Sequence, residues 1–577
     1  MYILADVAST YVPSAHELFL FSPDLALVGT LVAILVAPLF APRSARTTGV
    51  LTIVGTVLAF LLALRVASTV ASGGQAGLAP SSAAGMLIAD NLSVFFKLIL
   101  CAFLLAVTLM WFIGSAAREH DAPEFFVLLV GSAVGMALMV SSLNLLMLVI
   151  AVEMASLPSY GIVGFDKRNR IAAEASLKYV VFGAVCAAIT LYGASLIYGL
   201  FGTIDFGTLA GLIPNALTAA SPNRLTTGIA LACLFVGIGF KISAVPFHFW
   251  APDAFEAARI EVTTWLSVVS KGAGLLLLVR LVHVLSYSAS GGHGDPLLPV
   301  AWAIGILAIL TCTVGNFAAY KQTSVKRMLA YSSIAHAGYM LMAAAIFAHP
   351  LREGGYAAAN AVLFYLVIYF FMNLGAFGVT AAVVWRTGSD HITAFTGLGR
   401  RAMWLAVPMV CCLVSLVGLP PFGGFIAKYF LLYALAEQGS AYSSLYWVLI
   451  VVAVLNTLFS LFYYFRVVRQ MFLEDDGRPA LDAPIGGLAL ANVCAVVLLV
   501  TGLFIIGPVR RTTERYARNL FSPRALNPTS ELARGQDAGA ARATDLGLEA
   551  QGTGHGLEAR ATRATAEARA TEGVAAR

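Results

Sequence analysis

Glu153, Lys178, Lys241, Lys271 and Lys428 lie inside long apolar runs, where membrane proteins rarely place a charge. Ionisable groups within a bilayer are costly and usually serve a function, so each is a candidate site residue. At a helical rise of about 1.5 Å per residue, Glu153, Lys241 and Lys271 fall near the middle of their runs. Lys428 reaches a similar depth after a break in its run.

These residue types suit proton transfer. Removal from water disfavours the charged form of a lysine, and a nearby carboxylate favours it. A buried set of lysines with one glutamate can therefore take up and release protons near neutral pH. The sequence predicts a polar axis across the helices at mid-membrane. The alternative is static ion pairing or, for Lys178 near the end of its run, a side chain that snorkels to the membrane surface.

Two histidines extend the predicted axis. His336 lies in an apolar run beside the hydroxyls of Tyr331, Ser332 and Ser333. An imidazole can change its charge near physiological pH, so we predict a proton relay there, with a hydrogen-bonded packing residue as the alternative. His248 is predicted at the cytoplasmic end of its run. It serves either proton access or packing in an aromatic belt.

Two of the apolar runs contain helix breakers near these lysines. Proline removes a backbone hydrogen bond, and paired glycines loosen a helix. Unwound backbone inside a membrane is tolerated only where it is buried or lines a wet cavity. The predicted breaks are at Pro246 in one run and at Gly418, Pro420, Pro421, Gly423 and Gly424 in the other. Lys241 and Lys428 flank these breaks, and we expect them to occupy equivalent positions.

The composition requires a polytopic membrane protein. Of the 577 residues, 59% are apolar and 11% are charged, whereas a typical soluble domain has about 25% charged residues. A helix needs about 20 residues to span the bilayer core, and the sequence contains about fourteen such runs. They are 22–40, 48–70, 92–114, 123–142, 144–165, 173–200, 226–250, 260–286, 297–319, 325–348, 356–386, 402–438, 443–470 and 485–507. Continuous apolar runs predict an all-α fold and exclude a β-barrel, whose strands alternate.

The two broken runs are the seventh and the twelfth, and this offset predicts two inverted five-helix repeats. An odd number of spans in a repeat forces the next repeat into the opposite orientation. The predicted domains are the first three spans (1–122), the first repeat (123–286, spans 4–8), the second repeat (297–475, spans 9–13), the last span (485–507) and a tail (510–577). The tail is rich in Ala, Arg, Thr and Glu, so we expect it to be disordered or transiently helical.

Basic residues are concentrated in alternate loops, which places those loops in the cytoplasm and both termini outside. The acidic residues before the first run do not fit a secretory signal. The net charge of +6 is too small to argue for nucleic acid as a partner. All seven cysteines lie in apolar runs without metal-binding spacing, so no metal site is expected.

Several motifs together resemble one known family. They lie at 152–160, 174–179, 202–206, 240–253 and 322–333. The segments resemble those of the antiporter-like subunits of respiratory complex I, which are also related to Mrp-type sodium/proton antiporters. The resemblance covers roughly residues 90–475. The segment 257–261 departs from the family's usual Gly-Ala-Pro-Thr-Pro sequence.

The resemblance implies a proton channel in a larger redox pump, namely a subunit of NADH:quinone oxidoreductase without a redox centre of its own. It assigns proton transfer to Glu153, Lys241, Lys271 and Lys428. FMN and iron–sulfur clusters would lie on other subunits, and quinone would serve the complex without a clear site here. The expected partners are the antiporter-like subunits L and M and small membrane subunits in a bacterial inner membrane. The lysine at 428 distinguishes this chain from subunit M, which is expected to carry glutamate.

Two other functions fit less well. A stand-alone or Mrp-type cation/proton antiporter would share the same helices and lysines. Neighbouring genes or copurifying subunits would separate it from a complex I subunit. A non-transporting membrane scaffold would not place three lysines and a glutamate at mid-membrane.

Overall fold

The computed structural model describes residues 14–40, 45–71, 76–78, 86–114, 121–287, 297–348, 355–439, 444–475, 477, 479–481, 485–504 and 506–518. In this part of the chain, thirteen helices are long and apolar enough to cross a membrane. A bent pair, Ile392–Arg401 and Met403–Val417 at 119°, brings the number to fourteen. The prediction of an all-α fold with about fourteen spans is confirmed.

The first spans precede the repeats. The elements are α1 (Ala15–Leu20), α2 (Ser22–Phe40), α3 (Ala45–Ala71), the paired strands β1 (Ala76–Leu78) and β2 (Leu87–Ala89), and α4 (Asn91–Ile113). Helix α4 begins where the Asp90 carboxylate accepts the Ser93 amide at 2.9 Å, because such a cap satisfies an amide that has no partner within the helix.

The first repeat contains one broken span and one span with a π-helical turn. Its elements are α5 (Ala122–Ser141), α6 (Leu145–Val163), α7 (Arg170–Phe201), the surface helix α8 (Phe206–Ala216), α9 (Arg224–Ile242), α10 (Trp250–Ala257), α11 (Ile260–Trp265), the π turn Leu266–Ser270 and α12 (Lys271–Tyr287). Helices α9 and α10 are the two parts of the seventh span. The π turn joins α11 to α12, which together form the eighth span.

The second repeat follows the same plan, with the break again in its fourth span. Its elements are α13 (Leu298–Ala319), α14 (Val325–Ile346), α15 (Gly355–Thr387), a 3-10 turn (Ile392–Phe395), α16 (Leu398–Arg401), α17 (Met403–Val417), α18 (Gly423–Gly439) and α19 (Ser444–Phe472). Helices α17 and α18 are the two halves of the twelfth span, separated at the predicted Gly-Leu-Pro-Pro-Phe break.

The second span of each repeat begins in the same way. Asn144 caps α6 through its side chain, and its backbone pairs with Asp205 after α7. Ser324 caps α14, and its backbone pairs with His391 after α15. A polar cap followed by an antiparallel bridge to the end of the next span therefore recurs at matching places in the two repeats.

The breaks match in backbone geometry but not in the position of their lysines. Helix α9 ends at Ser243 with φ 63°, and α17 ends at Gly418 with φ 86°, both in the left-handed region. Lys241 precedes Ser243 on α9, whereas Lys428 follows Gly418 on α18. The expectation that the two lysines are equivalent is therefore wrong. The backbone break recurs in both repeats, but the cation lies on a different half of each broken span.

Burial concentrates on the spans between the two breaks. In the 18-residue apolar segment of each span, 94% of the residues are buried in Ile260–Ser286 and in Val325–Ala348, and 89% in Ala357–Thr387. The corresponding share in the first span, Ser22–Phe40, is only 28%. The centre of the bundle is thus formed by the eighth, tenth and eleventh spans, and polar side chains in their buried segments are shielded from both lipid and water.

The chain continues with α20 (Ile485–Leu503) and α21 (Ile506–Arg518). The predicted last span, 485–507, ends earlier than expected. The predicted tail begins inside α21, where Thr513 donates to Asn360 Oδ1 at 2.5 Å and the Tyr516 ring packs 5.2 Å from Phe95. These contacts to other spans order the first residues of that segment. The remainder of the predicted tail, 519–577, lies outside the described residues.

The break between α17 and α18 yields a test. Replacing Pro420 and Pro421 with alanine favours a continuous helix, because proline costs about 3 kcal/mol relative to alanine in a helix interior. We expect slower proton pumping in an assembled complex, since straightening the span changes the backbone around Lys428. The measurement is pumping per NADH oxidised in membranes with normal subunit content. A continuous twelfth span in a structure of the variant, together with unchanged pumping, would show that the break has no role.

Candidate functional site

Lys241, Lys271 and Lys428 are all buried, with 0%, 1% and 7% of their surface exposed. Each lies next to an interruption in regular helix. Lys241 is in the last turn of α9, Lys271 directly follows the π turn, and Lys428 lies on α18 after the break. Irregular backbone provides polar groups inside the bundle, which lowers the cost of burying an ammonium group.

Lys428 uses the break directly. Its Nζ donates to the carbonyl oxygen of Val417, the last residue of α17, at 2.8 Å, and to Thr457 Oγ1 on α19 at 3.2 Å. The ammonium also lies 4.5 Å from the centre of the Tyr339 ring, within range of a cation–π interaction. The carbonyl oxygen at the end of α17 thus becomes part of the lysine's environment.

Lys241 is bound to the helix that carries Glu153. Its Nζ donates to Ser156 Oγ on α6 at 3.2 Å. Glu153 lies one turn earlier on the same helix, is half-buried and interacts electrostatically with Lys241. The glutamate lines a small pocket between α6, α7 and α9 with Gly183, Thr190 and other residues. Lys241 thus contacts the helix of Glu153 through Ser156, and the carboxylate of Glu153 acts on the lysine electrostatically.

Lys271 differs from the other two lysines in its partners. Its Nζ has no hydrogen-bond partner within the described part of the chain, and it lies 5.4 Å from the centre of the Phe255 ring. His248 interacts electrostatically with Lys271, and its Nδ1 also lacks a partner among the described residues. Buried polar atoms of this kind normally bind internal water, so the region between Lys271 and His248 is where a water-mediated proton step fits best.

The position of His248 corrects the sequence interpretation. We expected it at the cytoplasmic end of the seventh span, but α9 ends at Ile242 and α10 begins only at Trp250. His248 therefore lies within the break and is buried, with 6% of its surface exposed. The sequence predicts a break at Pro246, but its apolar composition does not show that the break extends as far as His248.

His336 lies among tyrosines at the centre of the bundle. Its Nδ1 is hydrogen-bonded to the Tyr365 hydroxyl at 2.7 Å, and its ring lies 5.8 Å from Tyr339 and 5.3 Å from Tyr369. Lys428 is close enough to His336 to interact electrostatically. Tyr339 contacts both His336 and Lys428, which brings the histidine and the lysine into one cluster.

Lys178 lies in a different setting. Its side chain is 45% exposed and pairs with Glu174 at 3.0 Å and with Asp253 at 2.9 Å. Arg327 of α14 also pairs with Asp253 at 2.9 Å and with Glu256 at 2.5 Å. We call this end of the bundle, with Lys178, Asp253, Glu256 and Arg327, the ion-pair end. The structure therefore places Lys178 in an exposed ion-pair cluster and not beside the buried lysines.

Sequence reasoning missed two buried ion pairs. Lys97 of α4 bonds Asp24 of α2 at 2.6 Å, and both side chains are less than a tenth exposed. Arg280 of α12 forms a two-point pair with Asp90, at 2.7 and 2.8 Å, that is almost fully buried. Lys97 could have been found, because it lies in an apolar run like the other candidates. Asp90 directly precedes a helix, and in that position an acidic residue is ordinarily interpreted as an N-cap, which gives no indication of an ion pair.

Within the described residues, no group of three or more His, Cys, Asp or Glu side chains is arranged to hold a metal ion. The cysteines there are free, and most are buried. The centre of the bundle contains ammonium, imidazole and hydroxyl groups, all of which can exchange protons.

Known proteins are similar to this chain in sequence and in fold. Residues 142–460 match the transmembrane family described as NADH:quinone oxidoreductase/Mrp antiporter. NADH-quinone oxidoreductase subunit N 2 from Sorangium cellulosum is 42% identical over 429 residues, which cover 72% of this chain and 82% of that protein.

Two solved structures are similar. A chain of respiratory complex I from Thermus thermophilus with bound aureothin has a TM-score of 0.66 at 29% identity, covering 84% of this chain and 98% of that chain. A chain of the Mrp complex from Dietzia sp. DQ12-45-1b has a TM-score of 0.73 at 20% identity, covering 89% and 99%, which is a likeness of fold alone.

Two five-span repeats around buried lysines, together with the matched family, define the class of antiporter-like membrane proteins. Within that class, the chain belongs to the family of NADH-quinone oxidoreductase subunit N.

The contact between Lys241 and α6 yields a test. Replacing Glu153 with alanine removes the carboxylate that acts on Lys241. A nearby opposite charge changes the population of a charged form by about tenfold or more, so we expect proton pumping to fall by about that factor. Assembly should be retained, because the half-buried Glu153 contributes little to packing. Pumping is measured in membranes of known subunit content, with the exposed Glu174→Ala as the matched control. Equal pumping in the two variants would remove Glu153 from the site.

Proposed function

We propose that this chain is a proton-translocating subunit in the membrane arm of NADH:quinone oxidoreductase. In this proposal, protons move between Glu153, Lys241, Lys271 and Lys428, with His336 linking the last two lysines. The observation that carries the proposal is the burial of three lysines in one chain, each beside an interruption in its helix. The buried Lys97 and Arg280 are each paired with an aspartate, whereas these three lysines are hydrogen-bonded only to neutral groups or to none among the described residues, which is costly for a purely structural role.

The geometry supports an order of transfer. Glu153 and Lys241 form the start of the path, because they are electrostatically coupled and Glu153 lies in a pocket at the side of the bundle. Lys271 and His248 receive the proton next through water. His336 and its tyrosines lead on to Lys428. The path crosses from the first repeat, proposed as 123–286, to the second, proposed as 297–475.

The partners follow from this function. We place FMN and the iron–sulfur clusters on other subunits of the complex, as the family resemblance implies. The antiporter-like subunits L and M and small membrane subunits are the proposed neighbours. Quinone is reduced by the complex, without an assigned site on this chain. The proposed location is a bacterial inner membrane, with both termini outside and the ion-pair end in the cytoplasm.

Copurification tests the proposal against a stand-alone or Mrp-type antiporter. The chain is isolated from detergent-solubilised membranes under conditions that preserve large complexes. We expect it to come out with flavin and iron–sulfur subunits, detected by bound FMN and by iron content. Isolation with antiporter subunits alone, without flavin or iron, would replace the proposal by the antiporter alternative.

Lys428 provides a sharper test of the mechanism. If Lys428 carries protons, it must change its charge during turnover. Arginine keeps a positive charge that is not released, because a guanidinium stays protonated in proteins. We therefore expect Lys428→Arg to reduce pumping about as strongly as Lys428→Ala, in complexes with normal subunit content. If Lys428→Arg pumps normally and only Lys428→Ala fails, Lys428 is a fixed charge, and the proton leaves through another residue.

A further inference from the structure

The π turn of the eighth span, Leu266–Ser270, ends directly before Lys271. A π turn holds one residue more than an α turn, so it rotates everything that follows by about 100° relative to a regular helix. Such turns are rare, and they persist where their surroundings stabilise them. The direction of the Lys271 side chain therefore depends on whether this turn is kept.

A tyrosine from the other repeat contacts the π turn. The Tyr369 hydroxyl on α15 donates to the carbonyl oxygen of Ser267 at 3.3 Å. Both residues have no exposed surface, so water cannot replace this bond freely. The bond joins the eleventh span to the eighth at the level of Lys271.

The same tyrosine belongs to the cluster around His336. Its ring lies 5.3 Å from the imidazole and 6.5 Å from the Tyr365 ring. Tyr365 in turn is hydrogen-bonded to His336 Nδ1 at 2.7 Å. One side chain thus contacts the turn that orients Lys271 and the histidine proposed to receive its proton.

We propose that Tyr369 is a positioning residue for proton transfer between the two repeats. Its hydroxyl stabilises the π turn and thereby holds Lys271 in the orientation that serves His336. This inference rests on the proposed function of Lys271 and His336. The Tyr369 proton is donated to a backbone carbonyl, which suits a positioning role better than that of a proton carrier.

Loss of the hydroxyl should shift the balance towards a regular helix. The Ser267 carbonyl would lose a buried donor, and the regular α-helical pattern would become more favourable by comparison. Lys271 would then rotate away from its present direction while the helix itself stays intact. The effect should appear as faulty proton transfer and not as loss of the protein.

The test compares Tyr369→Phe with Tyr320→Phe in the complete complex. Tyr320 is the matched control, because its hydroxyl also donates to a backbone carbonyl, that of Phe459 at 2.8 Å, away from the lysines and His336. We expect Tyr369→Phe to lower pumping per NADH roughly fivefold, the change that the loss of one hydrogen bond produces. We also expect its pH profile of pumping to move, because the displaced lysine has new surroundings. Tyr320→Phe should change neither quantity.

A structure of the Tyr369→Phe complex provides the second readout. We expect a regular α-helix through 266–270 and a displaced Lys271. A retained π turn, or a pH profile and pumping equal to those of Tyr320→Phe, would overturn the inference. Lys271→Ala separates this outcome from failure of the proposed function. If Lys271→Ala pumps normally, the function of the axis is wrong. If it fails while Tyr369→Phe pumps normally, only the role of Tyr369 is wrong.

Discussion

An ammonium group removed from water must be given polar partners, and this requirement shapes the centre of the molecule. A regular helix uses its own carbonyl groups and has few to offer. Lys241, Lys271 and Lys428 each adjoin a departure from the α-helix: the left-handed end of α9, the π turn before α12 and the break between α17 and α18. Lys428 donates to a carbonyl oxygen at its break, whereas the buried Lys97 on the regular helix α4 is paired with Asp24. The most buried spans surround these points and exclude lipid from them. The arrangement of the repeats can be understood as a means of bringing these interruptions together.

The backbone features of the two repeats match, but the positions of their lysines do not. The cap and bridge at Asn144 recur at Ser324, and the left-handed turn at Ser243 recurs at Gly418. The lysines do not follow this symmetry, because one lies before its break and the other after it. Equivalent backbone sites thus have different chemistry in the two halves of the molecule.

The sequence predicted the spans, the breaks and the burial of Lys241, Lys271 and Lys428, because each leaves a local signal. It wrongly grouped the exposed Lys178 with them and missed the buried Lys97. Apolar length defines a span, proline and glycine define a break, and a charge in an apolar run is conspicuous. Features that depend on contacts between distant segments were not predictable. Asp90 pairs with Arg280, and Tyr369 is hydrogen-bonded to Ser267, although more than a hundred residues separate the partners in the sequence. The position of His248 was misjudged, because Pro246 marks the break but the apolar composition does not show how far it extends.

The contacts at the ion-pair end join the two repeats. Asp253 on the first repeat is paired with Arg327 on the second, and Lys326 donates to the carbonyl oxygen of Ala258 at 3.0 Å. These contacts fasten the two halves together at one end. A transporter that alternates access by rocking one half against the other needs that seam to open and close. Opening this seam would break the ion pair and the hydrogen bond, whereas proton transfer through side chains leaves both contacts intact.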